Sequence, residues 1–259
     1  HFINFSINYD KNKRLIRDNI QLRVKKILTE RFYMSSRGTG LTLSLGILAA
    51  IVGYILWQSV IGINTKVDDV GTILTNSAAG STNLQISFIL ICVGLVVHAA
   101  GLINTRGTAP GTSESLGIVS IVAAIVLWVT SSGVGIALAE MGEKYVATAG
   151  AGDAATAGSI AIAAGFAQSA TVAANSVAGL LAGIGWMFMG LAYRSSDAKG
   201  ALSFIPLGWL ALIMGLILVV STLLINTLVS IELGSQISGI AFLLIVLWSV
   251  LRGVALIRS

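Results

Sequence analysis

Charge is scarce in this chain. Asp, Glu, Lys and Arg together make up 10% of its 259 residues, against about 25% in soluble domains. So little charge cannot cover a water-facing surface, which excludes a soluble enzyme of ordinary design. Proline occurs twice and cysteine once. With no Gly-X-Y period, collagen-like material is excluded. The lone Cys92 excludes an intramolecular disulfide framework. Histidine also occurs only twice, as His1 and His98. A zinc site needs three or four ligands, and His98 with Cys92 cannot supply them within one chain. Bis-histidine haem would need a second histidine near His98. No Walker sequence and no complete dinucleotide-binding glycine loop is present.

What is abundant is apolar residue. Hydrophobic types reach 55% and the mean hydropathy is +0.89. A helix needs about 20 apolar residues to cross the roughly 30 Å hydrocarbon core. Six stretches meet that length: 41–63, 86–104, 116–139, a run within 171–193, 202–225 and 237–257. They are unbroken apolar runs and lack the short alternating segments of a membrane β-barrel. The fold class expected is therefore all-α, a polytopic membrane protein built as a bundle of six transmembrane helices.

The basic residues predict its orientation. With six spans, all but Lys66 and Lys144 of the 16 Lys and Arg residues fall on the side that holds both termini. By the positive-inside rule that side is cytoplasmic, which suits a plasma or inner membrane. Residues 66–85 and 140–153 are then external loops. The pI of about 9.6 is a topology signal. The partner it implies is anionic lipid of the bilayer, with no role for nucleic acid.

The domain division expected is a basic tail, residues 1–39, followed by a membrane domain, residues 40–259. Residues 1–33 contain no Gly, Ala or Pro. Two readings of them stand side by side. Ile16, Ile20, Val24 and Ile27 recur at helical spacing between basic residues, as in an amphipathic helix on the inner leaflet. Alternatively Met34 opens a compact leader before the first span, and residues 1–33 are not native.

Two patterns suggest internal organisation. Leu45-Gly46-Ile47 through Leu56-Trp57 resembles Leu116-Gly117-Ile118 through Leu127-Trp128, and Leu207-Gly208 opens the fifth span. This pattern fits three repeated helical hairpins. Second, residues 146–176 are nearly all Ala, Gly, Ser and Thr. The preferred reading is one long helix starting near Asp153 or Thr156 and ending near Tyr193, about 57 Å long. A broken, re-entrant entry at Gly158 and Gly165 is the alternative.

Few residues suggest chemistry. Span interiors hold no acid and no lysine, which removes the buried carboxylates of many ion-coupled transporters and the Schiff-base lysine of a retinal protein. Serines 131, 132, 169 and 176 lack a convincing catalytic partner. His98 is expected to be structural and bonded to a neighbouring helix, the alternative being a proton-responsive group in a transport path. Gln168 and Asn175 lie seven residues apart, on one helix face. Gly179 and Gly183 form a GxxxG pair expected at a helix–helix contact. Arg252 is assigned no special role, because it can snorkel to the interface.

No catalytic, cofactor-binding or metal site is therefore expected, and no cofactor. The leading expectation is a non-enzymatic membrane protein, an accessory subunit or small structural bundle, alone or in a homo-oligomer or larger membrane complex. The alternative is an oligomeric channel or carrier for a small neutral solute, with His98, Gln168 and Asn175 as its polar lining. A cavity shared by these three residues would favour transport; scattered residues paired between helices would favour a structural part.

Overall fold

Each apolar run becomes a helix because the backbone inside hydrocarbon must satisfy its own hydrogen bonds. The computed structural model describes residues 34–109, 111–196 and 198–259. Both readings of residues 1–33 therefore lie outside the described residues. The helices are α1 (Ser36–Ile61), α2 (Val70–Ala79), α3 (Ser81–Asn104), α4 (Thr112–Gly150), α5 (Ala154–Arg194), α6 (Leu207–Leu228) and α7 (Ile231–Arg258). No strand occurs among the described residues. All but α2 are long and apolar enough to cross a membrane, six in total. The described chain thus has the architecture of a multi-pass membrane protein.

The six long helices form a closed ring in chain order. Helix α1 packs on α3, α3 on α4, α4 on α5, α5 on α6, α6 on α7, and α7 back on α1. Both ends of the described chain lie at one end of this ring, here the basal end. Helices α4 and α5, of 39 and 41 residues, are about 58 and 61 Å long. They overrun the hydrocarbon thickness and project from the opposite end as an antiparallel stalk. Helix α2 lies along the stalk. Leu74 packs there with Leu138 and Ala164.

Helix α5 starts within the expected interval, just after Asp153. Asp153 is its N-cap, accepting from the Thr156 amide at 3.0 Å. The helix then continues unbroken through Gly158 and Gly165, so no re-entrant break occurs. Two expectations need correction. Residues 140–153 are not a loop, since α4 remains helical to Gly150. Residues 66–85 contain α2, capped by Asp69 through the Thr72 amide at 3.1 Å, and the first turn of α3.

Small residues set the spacing of the ring. Glycine lets two backbones approach where a side chain would hold them apart. A Cβ placed on Gly94 of α3 would lie 2.5 Å from the Ala50 nitrogen of α1. On Gly185 of α5 it would lie 2.9 Å from the Gly117 carbonyl oxygen of α4. On Gly253 of α7 it would lie 2.6 Å from the Gly40 carbonyl oxygen of α1. Gly46 and Gly117, which open the two related segments, both face the second long helix of their own hairpin. Gly208 departs from this pattern, since it faces Arg194 of the preceding helix α5.

Candidate functional site

The ring encloses a chamber of about 360 Å³. That volume falls within the roughly 300–1,000 Å³ range of small-molecule sites. All seven helices contribute to its wall. Among a largely aliphatic lining stand six aromatic side chains: Tyr54, Trp57, Phe88, Trp128, Trp186 and Phe242. Trp128 and Phe242 meet edge to face across the ring, with centroids 5.2 Å apart. The two tryptophans shared by the related segments, Trp57 and Trp128, both line this space.

Below the chamber the basal end is sealed. Trp248 stacks edge-on with Trp186 at 4.9 Å and with Tyr193 at 5.2 Å. Its indole nitrogen donates to the Leu207 carbonyl at 3.1 Å. Leu43, Leu102, Met189 and Met214 are fully buried. Next to this seal, the loop between α3 and α4 folds over Glu114. This carboxylate, only 1% exposed, accepts from the backbone amides of Gly107 and Ala109. Thr108 in the same loop shares a 3.0 Å hydrogen bond with the Tyr193 hydroxyl. Arg252 is not a free snorkelling side chain. It is buried, donates to the Lys199 carbonyl at 3.0 Å, and lies over the Tyr193 ring.

The stalk end of the chamber is polar and uncharged. Gln168, Thr171 and Asn175 of α5 line it together with Thr222 and Asn226 of α6 and Ser235 and Ser238 of α7. Asn175 and Ser235 are exposed, so the wall opens here. A π-helical turn, Ser221–Ile225, interrupts α6 at this level. Such turns add a residue to the helical register and recur at functional sites. Ser221 shares a 2.8 Å hydrogen bond with Ser238 of α7. The Asn226 side chain occupies the space over Gly234 that a Cβ there would need.

His98 lies toward the other end. It is six residues from the end of α3, about 9 Å above the basal end. Nδ1 lies 3.0 Å from the Leu43 carbonyl oxygen of α1. A carbonyl can only accept, so Nδ1 carries the proton and donates. The neutral ring then presents a bare acceptor at Nε2. Nε2 is buried and has no hydrogen-bond partner. Two other buried atoms of lining residues share that state, Ser131 Oγ and Asn226 Oδ1.

The structure thus brings His98, Gln168 and Asn175 to one chamber wall, although at different heights. His98 also has a partner on a neighbouring helix. Gly183 meets α6, where a Cβ would lie 2.9 Å from the Gly215 carbonyl oxygen. Gly179 faces only the Thr222 hydroxyl and lines the chamber. Sequence reasoning passed over Thr222, Asn226, Ser235 and Ser238. They recur on the outer turns of one hairpin, and that clustering was a usable signal. No group of three or more His, Cys, Asp or Glu able to hold a metal ion occurs among the described residues. No family model, curated protein or solved structure matches the chain.

Proposed function

We propose that this protein binds a small neutral solute inside the membrane and carries or presents it across part of the bilayer. The observation that carries this reading is the composition of the chamber wall. It is deep, apolar and dotted with hydroxyl, amide and imidazole groups, and none of its described lining residues is charged. A charged solute in such a wall would lack a counter-ion. A neutral one with a few polar atoms would find hydrogen-bond partners along an apolar path. In this reading both termini face the cytoplasm of a plasma or inner membrane, and the stalk and chamber mouth face outward.

The test is extraction of the purified protein. Wild type isolated in mild detergent should release a neutral small molecule in near-stoichiometric amount. The Asn175→Trp, Ser235→Trp double variant, altered only at exposed mouth positions, should lose it. Equal recovery from both proteins, or none from either, overturns the reading.

One observation favours a second role, that of an accessory subunit. Ile162 and Phe166 lie one turn apart on the stalk and are 78% and 80% exposed. Counted from Tyr193, Phe166 lies about 40 Å along α5, beyond the hydrocarbon core. An Ile162→Ser, Phe166→Ser variant with unchanged particle mass in mild detergent would remove that support.

A further inference from the structure

We infer that the chamber takes a neutral amphiphile with a hydroxyl head, and that the head donates its proton to Nε2 of His98. The inference rests on the binding role proposed above and specifies its ligand. Three observations lead to it. The His98 side chain is 2% exposed and fixed by the Leu43 carbonyl, so its free lone pair has a defined place. Its unpartnered Nε2 belongs to a residue of the chamber wall. An acceptor selects ligands that bring a donor, which favours an alcohol over a ketone, an ether or an alkane. An ammonium head would also donate, but it would meet no carboxylate among the described lining residues. A carboxylate head would meet neither lysine nor arginine there.

The space above His98 suits the rest of such a molecule. Ile91, Leu95, Ile121, Ile125 and Ile245 follow it toward the stalk, ahead of the aromatic belt. On α3 the lining runs from His98 to Leu84, about 21 Å of helix. A chain-like apolar body lies along that length and ends short of the hydroxyl and amide groups of Thr171, Thr222 and Asn226 at the mouth. The hydroxyl thus sits at the closed end, and the apolar body fills the approach to it.

Photo-crosslinking on the full chain in mild detergent tests this. The probes are hexadecanol carrying a mid-chain diazirine, its O-methyl ether and the matching alkane. Each is competed with its own unlabelled form. The alcohol should label peptides containing Trp128 or Phe242 saturably, and roughly fivefold to tenfold more tightly than the ether, the worth of one hydrogen bond. His98→Leu should abolish the preference for alcohol, and His98→Gln, which retains an acceptor, should restore part of it. Equal saturable labelling by alcohol and ether overturns the hydroxyl inference while leaving a neutral-ligand chamber in place. An alcohol preference that persists in His98→Leu overturns the role of His98. Absence of saturable chamber labelling by all three probes overturns both the inference and the proposed function. The wild-type comparison of alcohol with ether decides the matter even if His98→Leu fails to fold.

Discussion

Substituting alanine for Gly94 should destabilise the bundle, and the same change at Gly133 should not. Both glycines sit in the interior of a spanning helix. At Gly94 the added methyl would lie 2.5 Å from the Ala50 nitrogen, 2.6 Å from the Gly46 carbonyl oxygen and 3.0 Å from the Ala50 Cα. All three are backbone atoms of α1, so no rotamer change relieves the clash. Ordinary contact begins near 3.4 Å, so the two helices must separate locally by roughly 1 Å. Overpacking of this kind costs about 1–3 kcal/mol. The separation also strains the two interhelical hydrogen bonds that flank the contact. These are Ser87 Oγ to the Gly53 carbonyl at 2.6 Å and His98 Nδ1 to the Leu43 carbonyl at 3.0 Å. Each is worth on the order of 1 kcal/mol. Against this, alanine in place of glycine gains at most about 1 kcal/mol of helix propensity. The net expectation for Gly94→Ala is a loss of about 2 kcal/mol. At Gly133 nothing lies within 4 Å of the added methyl, so only the propensity gain remains, between 0 and about 1 kcal/mol. Reversible unfolding in mixed micelles, followed by far-UV circular dichroism, reads both. A neutral or stabilising Gly94→Ala would show that α1 and α3 are not held by backbone contact.

Four further outcomes are expected. Gly183→Leu should cost on the order of 1–3 kcal/mol or more, since Val219 and the Gly215 carbonyl oxygen block the site. Gly179→Ala should cost less, because only the rotatable Thr222 hydroxyl must move; equal effects in the same unfolding assay would refute the distinction. Glu114→Ala leaves the Gly107 and Ala109 amides without their acceptor and should cost about 1–3 kcal/mol, while raising proteolysis of the loop at 105–111; unaltered cleavage would count against the carboxylate as the loop's anchor. Asp153 has its carboxyl held below the usual 3.8 by hydrogen bonds from Thr156. A depressed carboxyl contributes stability that is present above pH 3.8 and is lost as the pH falls through its lower folded value. Amide exchange at residues 154–157, taken relative to Asp153→Asn, should therefore quicken only below about pH 3.8, and a ratio independent of pH would disprove the charged cap. Thr75→Cys in a Cys92→Ser background should label with an impermeant thiol reagent from the outside of oriented vesicles, and labelling from the cytoplasmic side alone would invert the proposed topology.

The six spans could be read from the sequence because hydrocarbon imposes one requirement on every one of them, an apolar length. The start of α5 could be read because Asp153 sits three residues before Thr156, which is the spacing of a cap. The same signal stood at Asp69 and Thr72, but α2 is short and sits in a polar connection, where hydropathy is silent. The outer third of α4 was missed for a related reason. Glu140, Glu143 and Lys144 end the apolar run, yet the helix continues beyond the membrane. Leu138, Met141 and Tyr145 recur at helical spacing there and pack around Leu74 and Ala164. Periodicity marks that segment where hydropathy does not.

The chamber was hidden for a deeper reason. In water, the inward face of a helix declares itself by being apolar. In a membrane both faces are apolar: Leu45, Ile55 and Val96 point outward among residues as hydrophobic as Ile47, Ile51 and Leu95 on the chamber side. Only polar residues mark the interior. His98 bonds a neighbouring helix, as expected of a structural residue, while its other nitrogen is left without a partner. That nitrogen is costly to the fold. A buried acceptor left unpaired costs about 1–3 kcal/mol, and Ser131 Oγ and Asn226 Oδ1 add to that cost in the same cavity. A bundle shaped for stability alone would fill these places with leucine. The close glycine contacts and the aromatic seal offset the loss at the basal end, where Gly40 meets Gly253 and Trp248 joins α5 to α6 and α7. Unpartnered buried atoms also occur within that basal packing, at Ser44 Oγ, Ser249 Oγ and Arg252 Nε, so the close contacts there carry a polar cost as well.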